Sequence, residues 1–179
     1  MKEKRLKTSD MTVTAMMTAV LCILGPMTLP LPVSPVPLSL ASLVICFSVM
    51  ILGWKRGTIS VLLYLLMGCI GLPVFSGFSG GLGKLVGPTG GYLIGYLFLA
   101  LIGGFLIEKG DRKILPSFLG LLLGTAVLYG FGTLWLCLQM ELSFLQGLAM
   151  GVLPYIPGDL LKIILTIILG RKIYQSVKV

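Results

Sequence analysis

The sequence predicts an all-α, polytopic membrane protein, a bundle of six transmembrane helices in a single domain over residues 1–179, and three observations carry that prediction. Apolar residues make up 56% of the chain and charged residues only 11%, with a mean hydropathy of +1.05. A soluble domain has roughly a quarter of its residues charged, so this much apolar surface has to face lipid. The second observation is segmentation, because apolar runs alternate with short polar, glycine-rich or proline-rich turns. The third is the basic residues, which cluster between the runs rather than along any one of them.

The N-terminus carries Lys2, Lys4, Arg5 and Lys7 ahead of the first apolar run. A charged start followed by apolar residues also describes a secretory signal, but no small-residue cleavage site closes this one and further apolar runs follow. Segment one therefore spans about Met11 to Leu29 and stops at the proline-rich stretch Pro30–Pro37. Segment two runs from about Leu38 to Leu52, and Trp54-Lys55-Arg56-Gly57 turns the chain into segment three, about Thr58 to Gly71. Both are shorter than the roughly 20 residues a crossing helix needs. A glycine-rich loop, Leu72 to Thr89, leads to segment four, about Gly90 to Ile107, closed by the charged turn Glu108–Lys113. Segment five spans about Leu115 to Leu138, and segment six about Pro157 to Leu169, ending at Arg171-Lys172.

In a six-span arrangement the basic residues of the N-terminus, the two–three turn, the four–five turn and the C-terminus all fall on one side. The positive-inside rule then places both termini in the cytoplasm. The proline-rich stretch, the glycine-rich loop and the five–six loop share the outer face. The net charge of +8 marks topology, since no basic stripe interleaved with aromatics suggests nucleic acid. Cys22, Cys46, Cys69 and Cys137 are scattered in apolar runs and the chain has no histidine, so no zinc-ligand set forms and the commonest acid–base catalyst is missing. No cofactor is expected.

The chemistry concentrates in Pro154-Tyr155-Ile156-Pro157-Gly158-Asp159-Leu160-Leu161-Lys162. Pro157 suits a first helical turn, Asp159 is favoured there by the helix dipole, and Lys162 shares its face three residues on. An ionisable group inside a span costs about 2.5–3.5 kcal/mol on insertion scales and marks function by default. The alternatives are a structural ion pair or a lysine reaching for the interface. The second informative stretch runs from Gly71 to Tyr92, where many glycines let backbone approach a ligand closely. Non-helical backbone at membrane depth has to be buried in protein or line a watery cavity, so a pocket wall or lid fits. Gly83-Lys84 is not a phosphate-binding loop, because Gly77 is misplaced by one residue and Leu85 replaces Ser/Thr.

The stretch from Gly71 to Tyr96 (GLPVFSGFSGGLGKLVGPTGGYLIGY), followed by PYIPGDLLK, closely resembles the BioY family, the biotin-specific substrate-binding subunits of energy-coupling-factor transporters. The resemblance covers nearly the whole chain. It implies a non-enzymatic subunit that captures biotin from outside and assembles with a transmembrane coupling subunit and two cytosolic ATPases. It also implies that the small-xxx-small pair Ala15 and Ala19 on helix one contacts the coupling subunit. Biotin's ureido ring, flat apolar bicycle and carboxylate tail suggest roles for named residues. Asp159 accepts ureido N–H groups, and Lys162 holds a ligand oxygen and neutralises Asp159. Tyr92, Phe75 and Phe78 flank the bicycle, while Ser79, Thr89 and the backbone at Gly90 and Gly91 donate to carboxylate or carbonyl. The competing readings are the same architecture serving another vitamin, and a small intramembrane hydrolase using Ser79 with a lysine or Asp159 as base.

Overall fold

The computed structural model describes residues 8–30 and 34–177. These form helices α1 (Thr8–Leu24), α2 (Ala41–Cys69), α3 (Leu82–Val86), α4 (Gly90–Lys109), α5 (Ile114–Met140), α6 (Phe144–Gly151) and α7 (Ile156–Ser176). Two short strands, β1 (Thr28–Leu29) and β2 (Leu38–Ser39), pair antiparallel. By length and hydropathy α4 and α5 each suffice to cross a membrane as one helix, α6 with α7 supplies another crossing bent by 50°, and α2 has the length only across its break at Gly53.

α2 is two helices in one. Gly53 breaks it at φ 78°, ψ 179°, and Gly57 packs on the backbone of Val49. Eight residues of straight helix span about 12 Å, so that contact requires the chain to double back at Gly53. The arms, 41–52 and 54–69, are the short second and third segments of the sequence. With α1, α4, α5 and α7 they make six apolar helical segments.

The boundaries move for local reasons. α1 ends at Leu24 rather than Leu29 because Pro26 pushes the residue before it out of helical conformation, and Thr28–Leu29 pairs with Leu38–Ser39 instead. Segment two starts at Ala41, where the Ser39 hydroxyl accepts the Ala41 N–H at 3.0 Å. The five–six loop contains α6, a helix that the apolar segmentation does not predict. A reciprocal cap starts it, with Ser143 Oγ accepting the Gln146 N–H at 3.4 Å and Gln146 Oε1 accepting the Ser143 N–H at 3.0 Å.

One end of the bundle gathers the charged turns. Asp10 pairs with Arg56 at 2.6 Å, Glu108 accepts the Trp54 N–H at 3.3 Å, and Arg112 donates to the Met50 carbonyl at 3.1 Å while lying over the Tyr174 ring. Lys2, Lys4, Arg5, Lys7 and Lys178 lie outside the described residues, as do residues 31–33 of the proline-rich stretch. At the opposite end the loops meet: the Gly77 N–H donates to the Pro26 carbonyl at 3.1 Å, and the Tyr155 hydroxyl donates to the Val36 carbonyl. Between the ends, α4 and α5 pack closely through small residues, Gly91 against Trp135 and Gly95 against Leu128.

Gly53 has a backbone conformation that only glycine adopts readily, and a Cβ there would lie 2.5 Å from the Glu108 Oε2, inside van der Waals contact. Gly53→Ala is therefore expected to destabilise the protein by about 1–3 kcal/mol, read as a lower melting midpoint in detergent. An unchanged midpoint would show that the turn tolerates a side chain.

Candidate functional site

At the loop end α7 opens with Pro157 in its first turn, and the Asp159 N–H closes that turn on the Tyr155 carbonyl at 2.8 Å. Lys162, Ile163, Thr166, Ile167 and Gly170 are all buried, at the i, i+3, i+4, i+7 spacing that follows from Asp159. The acid and the lysine therefore sit on the inward face of the last helix.

Lys162 is 9% exposed and uses all three ammonium protons. It donates to Asp159 Oδ1 at 2.8 Å, to the Ser39 carbonyl at 2.8 Å and to Ser42 Oγ at 2.9 Å. The lysine thus ties α7 to β2 and to the start of α2. Asp159 Oδ2 accepts the Tyr129 hydroxyl at 2.5 Å, the short distance of a charge-assisted bond, while Ser42 Oγ lies 3.5 Å from Oδ1. A buried carboxylate and ammonium held this way are mutually neutralised, which is what makes burial tolerable.

These groups line a cavity. A strap of Val36, Pro37, Leu38 and Ser39 covers it, Tyr92 and Tyr96 of α4 and Tyr129 of α5 wall it, and Asp159 and Lys162 supply its charge. Tyr155 pins the strap, its hydroxyl reaching Ser34 Oγ at 2.7 Å as well as the Val36 carbonyl. The cavity holds about 50 Å³, room for a few waters at about 10–15 Å³ each. Pockets for small organic ligands measure about 300–1,000 Å³.

Of the residues proposed from sequence, Asp159, Lys162 and Tyr92 come together here. Tyr92 contributes its ring, since its hydroxyl is engaged by the Gly151 carbonyl at 3.1 Å and Thr133 Oγ1 at 3.3 Å. The other six do not line this cavity. Gly90 packs on the Leu85 carbonyl and Gly91 on the Trp135 side chain, so both make room for helix packing. Thr89 is buried just ahead of α4, where its carbonyl accepts the N–H groups of Tyr92 and Leu93. Phe75 is fully buried edge-on against Tyr64, with ring centroids 5.5 Å apart. Ser79 donates to the Ser76 carbonyl at 2.8 Å. Phe78 is exposed and lines a separate apolar hollow of about 510 Å³ with Met27, Leu29 and Leu40; Leu38 borders both that hollow and the cavity.

Sequence reasoning missed Ser39, Ser42, Tyr96, Tyr129 and Tyr155. A signal existed for Tyr129, a tyrosine inside an apolar span, because a buried tyrosine hydroxyl usually has a partner. Ser39 and Ser42 gave none, since serines near a helix start usually serve as caps. Ala15 and Ala19 are exposed on α1, beside the buried face that carries Thr14, Thr18 and Leu21.

Comparison with known proteins matches residues 1–179 to the model of the BioY family. The biotin transporter BioY of Rhizobium etli is 37% identical over 180 residues, covering 94% of each chain. The biotin transporter BioY of Lactococcus lactis is 36% identical over 176 residues, covering 95% of this chain and 93% of its own. A solved structure, the S-component for biotin from an ECF-type ABC transporter, superposes with a TM-score of 0.89 at 34% identity, over 98% of this chain and 95% of that one.

Proposed function

The chain belongs to the BioY family of multi-pass membrane proteins, and from that premise we propose that it captures biotin in the Asp159–Lys162 cavity for an energy-coupling-factor importer. The observation that carries the proposal is a charged, hydrogen-bonded pair on the inward face of α7, enclosed by tyrosines in an otherwise apolar bundle. Apolar walls with a few placed polar groups are what small-ligand sites present. Asp159 accepts a ureido N–H. Lys162 keeps the acid's charge compensated and meets a ligand oxygen by releasing one of its three present acceptors. Tyr92 and Tyr96 supply flat apolar walls for the bicycle.

A bicyclic vitamin needs more than the present cavity, so the strap of residues 34–39 moves outward during binding. Thr89, Gly90 and Gly91 serve the site indirectly by setting where α4 begins, Phe75 and Ser79 brace the glycine-rich loop through their paired backbones, and Phe78 forms the outer approach. Both termini face the cytoplasm, which puts the strap outside, where biotin arrives. The subunit binds without transforming its ligand, and the Ser79 hydroxyl is directed at the Ser76 carbonyl rather than at a base. The test is binding of labelled biotin to purified protein with riboflavin and thiamine as competitors. Only unlabelled biotin should displace the label; displacement by another vitamin would reassign the ligand.

The coupling subunit and two cytosolic ATPases are the partners that drive release, and the exposed Ala15–Ala19 face of α1 is where the coupling subunit packs, because small residues allow close helix approach. Ala15→Leu or Ala19→Leu is expected to leave biotin binding intact and to reduce recovery of the assembled complex in pull-downs. Full recovery would move the contact elsewhere.

A further inference from the structure

We propose that Tyr129 is a positioning residue that fixes the Asp159 carboxylate and biases the site toward a neutral N–H donor over a cationic one. The inference rests on the biotin reading above and deepens it. A carboxylate offers about four lone-pair positions. Lys162 takes one on Oδ1, and Tyr129 takes one on Oδ2 at 2.5 Å. Tyr129 Oη and Lys162 Nζ therefore hold the carboxylate from two different helices, and with Ser42 Oγ donating to Oδ1 at 3.5 Å the second lone pair of Oδ2 is left for a ligand.

Two further observations say why that hold matters. Asp159 and Tyr129 also border a second hollow of about 200 Å³ between α5 and α7, walled by Leu122, Ala126, Ile156 and Leu160. That hollow is apolar, with Leu122, Ile156 and Leu160 exposed on its outer side. The Tyr129–Asp159 bond thus stands at the partition between the polar cavity and a membrane-facing groove, and it keeps the carboxylate on the cavity side. The second observation is charge. With Lys162 2.8 Å from one oxygen and a hydroxyl donating to the other, the carboxylate has little negative charge uncompensated. A ligand bringing its own positive charge meets the Lys162 ammonium and gains little from Asp159. A neutral urea N–H meets no such repulsion.

The test compares biotin with 2-iminobiotin, in which a protonated guanidinium-type group replaces the neutral urea, on wild type, Tyr129→Phe, Asp159→Asn and the double variant. Tyr129→Phe keeps the ring and removes only the hydroxyl. Biotin affinity is expected to fall about tenfold or more, while 2-iminobiotin falls less, so that the preference for biotin shrinks. Because Tyr129 acts through Asp159, Tyr129→Phe should cost little further in the Asp159→Asn background. Equal losses for both ligands, additive with Asp159→Asn, would reduce Tyr129 to a structural role, and wild-type affinity in Tyr129→Phe would overturn the inference outright. Wild-type affinity in Asp159→Asn would instead overturn the ligand site on which the inference stands.

Discussion

Asp159→Asn is expected to lower biotin affinity about ten- to a hundredfold, the usual consequence of losing a hydrogen bond to a charged group. The asparagine retains the shape and one acceptor, so the bundle still assembles. Three interactions change together. The Lys162 ammonium loses its counter-charge, the Tyr129 hydroxyl loses a charged acceptor, and the ligand N–H meets a neutral amide whose second position is itself a donor. Titration calorimetry of the purified variant reads the loss directly, and an affinity within threefold of wild type would remove Asp159 from the site.

Lys162→Met should do more damage, to the fold as well as to binding. The ammonium connects three groups on α7, β2 and α2, and its removal strands a largely buried carboxylate whose remaining close partner is Tyr129. Breaking a buried pair by deleting one partner typically costs about 3–5 kcal/mol. A marked drop in melting midpoint is therefore expected along with lost binding. The double variant Asp159→Asn, Lys162→Met should recover much of the midpoint, because no buried charge is left, yet it should not recover biotin. That split separates a pair kept for binding from one kept for stability. Recovery of both properties would make the pair purely structural, and a single variant that melts like wild type would show the lysine to be dispensable.

Much of this arrangement was legible in the chain itself. Hydropathy and the basic turns revealed six apolar segments, and the Pro157–Asp159–Lys162 spacing placed the acid and the lysine on one helical face because a helix repeats every 3.6 residues. What stayed hidden depends on contacts between distant segments. Gly53 looks like any glycine until Glu108 and Trp54 meet across it. The π-helical turns at Leu99–Gly103 and Thr166–Gly170 have no local sequence signature; Gly104 follows the first and packs on the Trp54 backbone, while Gly170 lies in the second against Met50. The glycine-rich stretch is ambiguous by itself. Its glycines permit close approach to a ligand or to another helix equally well, and at Gly90 and Gly91 the neighbour is protein. The partner of Tyr129 is silent in the sequence, because Asp159 lies thirty residues away.

The most direct measurement is mass spectrometry of the small molecule that travels with detergent-purified protein from biotin-supplied cells, wild type beside Asp159→Asn. Chemically unchanged biotin at close to one per chain in the wild type, and little in the variant, is the expected result. A different molecule, or biotin carried equally by both proteins, would contradict capture by the inward-facing acid and lysine of α7.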